Sequence, residues 1–301
     1  MTRGTRAALT AATAIIVLSL TGPSRFPEDA LPAPARLTTA PPTMEPADPP
    51  ASFTRSERAA LTRALDRYLK RRPGAVSISV RAAGLDDYTY GRGVRTATAS
   101  IVKLDIVLAL LLKAQHAKRR LTATEKTLAE EAITVSDNHA ATALWHRIGG
   151  SEGLATANRR LGLRATVPGP GDAWGSTTTT SVDQIRLLTA LTSGHSRISP
   201  ANRRYVRGLM EDVVPEQAWG VSAAADPGTG VAVKNGWLPR RVHDGLWTVN
   251  SIGLVHAAGR TCLIAAISER HPTLPDGIAT LEHATRTIAR ALTPSPSNPD
   301  A

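Results

Sequence analysis

The chain has 301 residues, of which 42% are hydrophobic and 20% charged, a composition typical of a folded globular protein with one large or two modest domains. Its net charge of +11 comes mainly from arginines scattered over many segments, without an RNA-binding or zinc-finger pattern, so we expect a basic surface and no nucleic-acid partner. The single cysteine, Cys262, excludes an internal disulfide and a cysteine-based zinc site, and the apolar residues around it predict a small core residue.

The first 25 residues have the pattern of an export signal. Arg3 and Arg6 precede an uncharged stretch, residues 7–24, whose centre is strongly apolar. This run is also nearly long enough to span a bilayer. The sequence therefore predicts a protein that is secreted or held in the cell envelope, with residues 1–25 either cleaved as a signal peptide or kept as a membrane anchor.

A proline-rich linker, residues 26–53, separates this segment from the globular part of the chain. Nine prolines lie between residues 23 and 50, and such a segment forms a semi-rigid extended spacer instead of a helix. We place a single globular domain at residues 54–292, followed by a short disordered tail rich in proline and serine, residues 293–301.

Within the domain, strands come first, then helices, then strands again. A cap at Thr54 or Ser56 predicts a helix to about residue 70. Apolar residues alternating with Ser77 and Ser79 predict a half-buried strand over 76–80. The other predicted segments are a hairpin strand at 86–90, helices at 100–114, 124–132, 138–148, 151–161, 181–193, 200–213 and 276–291, and strands at 230–238, 246–255 and 261–268. This order predicts an α+β fold, in which an antiparallel sheet flanked by helices joins an all-α half, with a site where the halves meet.

Ser100 and Lys103 begin the long apolar helix with the spacing of a nucleophile and its base. Three residues apart on a helix, the hydroxyl and the amine share one face. A lysine is a base only when uncharged, so its pKa must fall from about 10.4 toward about 7 through burial and a nearby cation. At the first turn, the Ser100 N–H also points toward a developing oxyanion. The alternative is a helix-capping serine with an unrelated lysine.

The segment Ser136-Asp137-Asn138 allows two interpretations. All three residue types favour turns and helix caps, so the segment is compatible with a purely local structural role. In a functional interpretation, the Ser136 hydroxyl belongs to a proton relay, and the Asn138 amide binds a substrate carbonyl group.

The segment Lys234-Asn235-Gly236 lies in one of the predicted late strands. A strand lysine followed by a glycine can place a fixed cation in a cleft where a substrate backbone approaches closely. There the lysine would bind a carboxylate and help to keep Lys103 uncharged. The alternative is a solvated lysine beside a turn glycine.

Together, the serine–lysine pair at Ser100 and the segments at Ser136 and Lys234 resemble the motif set of class A β-lactamases and penicillin-binding proteins. The resemblance covers about residues 54–292, and the order and context of the motifs agree with it. It implies the β-lactamase/transpeptidase-like fold and a serine hydrolase that forms an acyl-enzyme. It implies no metal and no cofactor.

The resemblance also implies roles for individual residues. Ser100 would be the acylated nucleophile, while Lys103 and Ser136 move protons. The N–H groups of Ser100 and Trp237 would bind the oxyanion. The residues implied to bind substrate, among them a lysine for its carboxylate, are Asn138, Lys234, Asn235, Gly236 and Trp237.

Two positions depart from the family pattern. Asn235 stands where the family usually has threonine, although an asparagine amide can still donate to a carboxylate. The loop over residues 163–176 has no glutamate to activate water for deacylation. Its one acid, Asp172, is a candidate for that role, but a Gly-Asp turn is the favoured interpretation. Because a general base contributes about 10²–10⁴-fold to the rate, we expect an acyl-enzyme that forms but is hydrolysed slowly.

We therefore expect an exported, monomeric serine hydrolase that is acylated at Ser100 by a β-lactam or a peptidoglycan-derived amide. Two related alternatives are a D-Ala-D-Ala carboxypeptidase-like enzyme and a slow-turnover penicillin-binding protein. An alternative of another class is a non-catalytic module that keeps the fold and binds the cell envelope without turnover.

Overall fold

Eight α-helices and two antiparallel sheets make up residues 53–293, the part of the chain that the computed structural model describes. The predicted signal peptide or anchor, residues 1–25, lies outside this part, as do the linker up to residue 52 and the tail from residue 294. None of the helices within residues 53–293 is both long enough and apolar enough to cross a bilayer.

The helices and strands follow the predicted segments closely. The helices are α1 (Arg55–Leu69), α2 (Val102–His116), α3 (Ala123–Thr134), α4 (Asn138–Ile148), α5 (Gly150–Leu161), α6 (Ser181–Thr192), α7 (Pro200–Glu211) and α8 (Leu274–Leu292). The main sheet contains β1 (Ala75–Ala82), β2 (Tyr88–Tyr90), β5 (Val231–Pro239), β6 (Trp247–Ala257) and β7 (Arg260–His271), and a short ribbon pairs β3 (Thr96–Ala97) with β4 (Thr178–Thr179). The predicted α+β class is confirmed.

The main sheet has the strand order β2-β1-β7-β6-β5, and each neighbouring pair is antiparallel. Because side chains alternate across a strand, β7 contributes to two cores. Its Ile264 and Ala266 pack with α1 and α8 on one face, while Ala265 and Ile267 pack with the helical block on the other. Cys262 is fully buried on the first of these faces, which confirms it as a core residue.

Strand β1 is buried on both faces, whereas its alternating residues predict a half-buried strand. Ser77 and Ser79, the residues predicted to face solvent, are 1% and 3% exposed. Their hydroxyl oxygens lie 2.7 and 2.8 Å from Ser181 Oγ at the start of α6. The half-buried prediction is wrong because α6 covers this face and gives both serines a hydrogen-bonding partner.

Helix α2 runs through the middle of the helical half. Leu104, Ile106, Leu108 and Leu110 are all 0% exposed, although they point in different directions around the helix. Each such side chain contributes about 2 kcal/mol of hydrophobic stabilisation. This burial fixes the start of α2 between the sheet and the helical block, and the residues there carry the candidate site.

Candidate active site

Ser100 lies in a short 3₁₀ turn, Ala99–Ile101, immediately before α2, and is half-buried. The preceding Ala99 has a φ of 49°, a left-handed conformation that costs a non-glycine residue about 1–2 kcal/mol. Asn250 on β6 holds the chain entering this turn, because its Nδ2 donates to the carbonyl oxygens of Ala97 and Thr98 at 2.8 and 3.0 Å. Asn250 is a site residue that the sequence reasoning missed.

Gly236 on β5 packs directly against the Ser100 turn. A Cβ atom at Gly236 would lie 2.6 Å from the main-chain nitrogens of Ser100 and Ile101, so only glycine fits there. The sequence predicted the close approach of a substrate backbone at Gly236, whereas the neighbour in the structure is the backbone of the Ser100 turn. The first and third motifs are therefore in contact.

Lys103 joins the first motif to the second. It is 1% exposed, and its Nζ donates to the Ser136 carbonyl oxygen at 2.5 Å, to Ser136 Oγ at 3.1 Å and to Asn138 Oδ1 at 2.8 Å. These contacts use all three N–H groups of an ammonium. Within residues 53–293, no hydrogen bond joins Lys103 to Ser100 Oγ. The serine and the lysine predicted to act as a pair are therefore one helical turn apart but not hydrogen-bonded.

Lys234 completes the cluster from the third motif. It is 0% exposed and donates to Ser136 Oγ at 3.0 Å and to its neighbour's carbonyl oxygen, that of Asn235, at 3.1 Å. Ser136 Oγ therefore accepts from two lysines, which leaves its own proton free to be donated. Ser136 also has a φ of 57°, a second left-handed non-glycine residue at this site.

Burial lowers the pKa of both lysines. Desolvation brings the pKa of Lys103 down to about 8, and the charge of Asp137 opposes this shift. Desolvation, together with the charge of Lys103, holds the pKa of Lys234 well below its ordinary value. Both amines therefore lose a proton far more readily than a solvated lysine, as the predicted base role of Lys103 requires.

Trp174 covers the remaining side of Lys103 and was not predicted as a site residue. Its ring centroid lies 5.0 Å from Lys103 Nζ, within the range of a cation–π interaction. Its indole Nε1 donates to Thr142 Oγ1 at 3.1 Å, which fixes the ring against α4. The only signal in the sequence is a tryptophan in a loop rich in glycine and proline.

Asp172 does not join the site. Its Oδ1 lies 2.8 Å from His146 Nε2, and the two side chains are 68% and 59% exposed. The structure thus turns this carboxylate outward and does not support it as a deacylating base. In residues 53–293, no carboxylate hydrogen-bonds to Ser100, Lys103 or Ser136, and no group of three or more His, Cys, Asp or Glu side chains is arranged to hold a metal ion.

Asn235 faces away from Lys234, because successive residues of a strand point to opposite sides. It is 0% exposed, and its Nδ2 donates to the carbonyl oxygens of Gln217 and Trp219 at 2.6 and 3.0 Å. Both amide protons are used, so the structure does not leave Asn235 free to bind a substrate carboxylate. Trp237, the predicted oxyanion residue, is half-buried, and its ring meets that of Trp219 edge-on at 5.7 Å.

The model of the Beta-lactamase enzyme family matches residues 118–292, more than half of the chain. The matched range includes Ser136 and Lys234 but begins after Lys103. This match is one of amino-acid sequence and is independent of the similarity in fold.

The fold also matches solved structures at low sequence identity. TLA-1 extended-spectrum β-lactamase has a TM-score of 0.71 at 15% identity, over 79% of this chain and 100% of that chain. A class A β-lactamase from Bacteroides cellulosilyticus has 0.68 at 16% identity, over 79% and 99%. A variant of PBP-A, solved as an acyl-enzyme complex with penicillin G, has 0.66 at 19% identity, over 81% and 98%. These similarities show the β-lactamase fold.

A curated relative is similar over part of its length. LppW of Mycobacterium tuberculosis, provisionally named a lipoprotein, is 30% identical over 153 residues, which is 47% of this chain and 47% of LppW. The chain thus spans about half the length of the curated relatives it matches.

Proposed function

Because the chain belongs to the beta-lactamase enzyme family, we propose that it is an exported serine hydrolase in which a β-lactam or a peptidoglycan-type amide acylates Ser100. One observation carries the proposal: the Ser136 hydroxyl lies between two buried lysines beside the Ser100 turn. Burying two like charges together opposes folding, at about 1.4 kcal/mol for each unit of pKa shift. Such a cluster is typical of a catalytic site, where perturbed pKa values serve proton transfer.

In the proposed reaction, Lys103 acts in its uncharged form. A neutral amine has two N–H groups and a lone pair, so it can keep both contacts to Ser136 and direct the lone pair at Ser100. Lys103 takes the hydroxyl proton as Ser100 Oγ attacks the carbonyl carbon, and the Ser100 N–H binds the oxyanion. When the C–N bond breaks, Ser136 gives its proton to the leaving nitrogen and regains one from the Lys103 ammonium.

Release of the acyl group is proposed to be slow. Water needs a base to attack the ester, and a positioned base typically contributes about 10²–10⁴-fold. Asp172 is bound to His146 at 2.8 Å, and Trp174 occupies the space over Lys103. The acyl-enzyme therefore persists, as expected of a penicillin-binding protein more than of an efficient β-lactamase.

We also propose that the protein works in the cell envelope. The support is the export pattern of residues 1–25 and the lipoprotein name of LppW, which is 30% identical over 153 residues. Fractionation of cells that express the full chain tests this: we expect the protein outside the cytoplasm, and deletion of residues 1–25 should retain it inside.

Labelling with a fluorescent penicillin, followed over time by intact-mass spectrometry, tests acylation and release together. The wild type should gain one acyl group and keep it for many minutes, and Ser100→Ala should gain none. Ser56→Ala is the matched control, because Ser56 also lies in a first helical turn but is exposed on α1. This control should label like the wild type.

Three results would change the proposal. Labelling of the Ser100→Ala variant would identify another nucleophile. Rapid nitrocefin turnover would show that a deacylating base exists after all. A folded wild type that gains no acyl group from penicillin and releases no D-alanine from a D-Ala-D-Ala peptide would instead be a non-catalytic envelope-binding module.

A further inference from the structure

A cavity lined by arginines lies apart from the Ser100 site. Its volume is about 270 Å³, and its basic lining residues are Arg81, Arg160, Arg186, His195 and Arg197. It is formed by β1, the end of α5, α6 and the loop that follows α6. No acidic side chain and none of the proposed catalytic residues lines it.

Two of the arginines are held rigidly. Arg81 donates to both carboxylate oxygens of Asp87, at 2.8 and 2.6 Å, and to Thr189 Oγ1 at 2.7 Å. Arg186 donates to Asp183, whose side chain is 0% exposed. Because these contacts fix the planar guanidinium groups, their unused N–H groups are oriented before any ligand arrives.

The charges of the two fixed arginines are balanced by acids outside the lining. Arg81 is paired with Asp87, and Arg186 with Asp183. Asp183 also accepts from the backbone N–H groups at residues 164 and 165, at 3.2 and 2.6 Å. The net positive charge of the cavity therefore comes from its other arginines.

The other two arginines are free to close on a ligand. Arg160 and Arg197 are exposed, and within residues 53–293 their side chains have no hydrogen-bonding or ion-pair partner. His195 also lines the cavity and is exposed. The cavity thus has two fixed guanidinium groups and two mobile ones, with no internal anion to balance the mobile pair.

We propose that this cavity binds a phosphate ester. Guanidinium groups pair with the oxygens of phosphate in a bidentate manner, and a phosphate offers three oxygens to several arginines where a carboxylate offers two. Leu161 and Ala190 supply an apolar wall for the organic part of the ester. Two sources carry this chemistry, a soluble ester such as glycerol phosphate and the headgroup of phosphatidic acid in a membrane.

Binding to the full chain tests the proposal. Isothermal titration calorimetry with glycerol 3-phosphate measures the soluble ester, and co-sedimentation with phosphatidic acid vesicles, compared with phosphatidylcholine vesicles, measures the headgroup. The double variant Arg160→Ala/Arg197→Ala should weaken binding at least about tenfold, since each charged hydrogen-bonding group contributes that much or more. Because both side chains are exposed and make no hydrogen bond or ion pair within the described residues, the variant should fold normally.

The matched control is Arg63→Ala/Arg67→Ala, which removes the same charge from exposed positions on α1. It should bind within about twofold of the wild type. Saturable binding of glycerol 3-phosphate would identify the ligand as a soluble ester, and binding confined to phosphatidic acid vesicles would identify it as the lipid headgroup. Either result supports the proposal that the cavity binds a phosphate ester. Equal weakening in both double variants, or no binding of either probe, contradicts it.

Discussion

Helix α2 carries two buried ionisable side chains, Lys103 and Asp105, that belong to centres of opposite character. At the first centre, Lys103 and Lys234 both donate to Ser136 Oγ, at 3.1 and 3.0 Å. The two amines share one neutral acceptor, and no carboxylate within residues 53–293 hydrogen-bonds to either lysine. The charge of Asp137 acts on Lys103, but no hydrogen bond joins these two side chains.

The second centre is acidic and its charge is compensated. Asp183 accepts hydrogen bonds from backbone, hydroxyl and guanidinium donors, and so ties the loop after α5 to the start of α6. Burial, together with the charge of Asp183, raises the pKa of Asp105 to about 8, so Asp105 is largely protonated at neutral pH. When the Asn158 side-chain amide is oriented so that both its oxygen and its nitrogen have hydrogen-bonding partners, the nitrogen donates to the two carboxyl oxygens of Asp105 at 3.0 and 3.1 Å.

The difference separates charges that stabilise the fold from those proposed to act in catalysis. At Asp183 and Asp105, every buried charge is either hydrogen-bonded to donors or removed by a proton, which is what stability requires. At Lys103 and Lys234, stability is given up to lower two pKa values in a confined space. Substitutions at the two centres should therefore affect different properties.

The largest effect is expected from Lys103→Met. Loss of the proposed base should slow acylation of Ser100 by about 10²–10⁴-fold, because the variant removes the group proposed to accept the hydroxyl proton. Lys113→Met on the same helix is the control, since Lys113 is exposed and, in the described part of the chain, its side chain donates only to the Arg147 carbonyl oxygen. Labelling by fluorescent penicillin measures both rates. Wild-type labelling of Lys103→Met would remove this lysine from the mechanism.

Asp183→Asn should act on stability instead. The amide cannot accept all the hydrogen bonds of the carboxylate, and its N–H groups would face donors, so unfolding should become easier by about 3 kcal/mol. Urea denaturation measures the change. Asp86→Asn is the control, because Asp86 is 68% exposed and its ion pair with Arg58 is 3.5 Å long; such pairs contribute about 0–1 kcal/mol. Equal losses in the two variants would contradict the structural role of Asp183.

A smaller effect, about tenfold, is expected from pH alone. Since the pKa of Lys103 is about 8, roughly a tenth of the amine is uncharged at pH 7 and roughly nine-tenths at pH 9. The acylation rate should therefore rise across this range and level off above it. Stopped-flow labelling from pH 6 to 9.5 measures the profile. A rate that is flat or falls with rising pH would show that an uncharged Lys103 is not required.

The sequence predicted the members of the lysine centre better than their contacts. The resemblance to the family's motif set identified Ser136, Asn138 and Lys234. In the structure Ser136 and Asn138 hydrogen-bond to Lys103, and Lys234 hydrogen-bonds to Ser136. The helix and strand segments were also predictable, because apolar periodicity is a local property. A turn residue at Asp172 was also the favoured prediction, whereas its contact with His146, 26 residues away in the chain, was not predictable from any local pattern.

Other site residues act through packing that no local pattern records. Asn250 holds the Ser100 turn from more than 150 residues away, and it lies in a strand that reads as an ordinary apolar run. Asn235 matches the family motif by position, yet the strand geometry turns its amide to Gln217 and Trp219. Motif position specifies where a residue stands, whereas its partners are set by the long-range fold.

Trp174 offers the finest test of the contrast between the two centres. Its ring lies 5.0 Å from Lys103 Nζ, where the negative face of the ring favours the charged amine without supplying a formal negative charge. A cation–π contact contributes about 0.5–2 kcal/mol, so Trp174→Leu should lower the pKa of Lys103 by about half a unit or more.

The midpoint of the acylation–pH profile should therefore move to lower pH in Trp174→Leu, while Trp174→Phe, which keeps an aromatic face, should move it less. A merely structural role for Trp174 would change the rate at all pH values and leave the midpoint in place. The direction of the midpoint shift distinguishes a cation–π role of Trp174 from a desolvating one. Desolvation lowers the pKa of a lysine, so a variant that lets water reach the amine raises that pKa. A midpoint that moves to higher pH would therefore mean that Trp174 acts by desolvating Lys103.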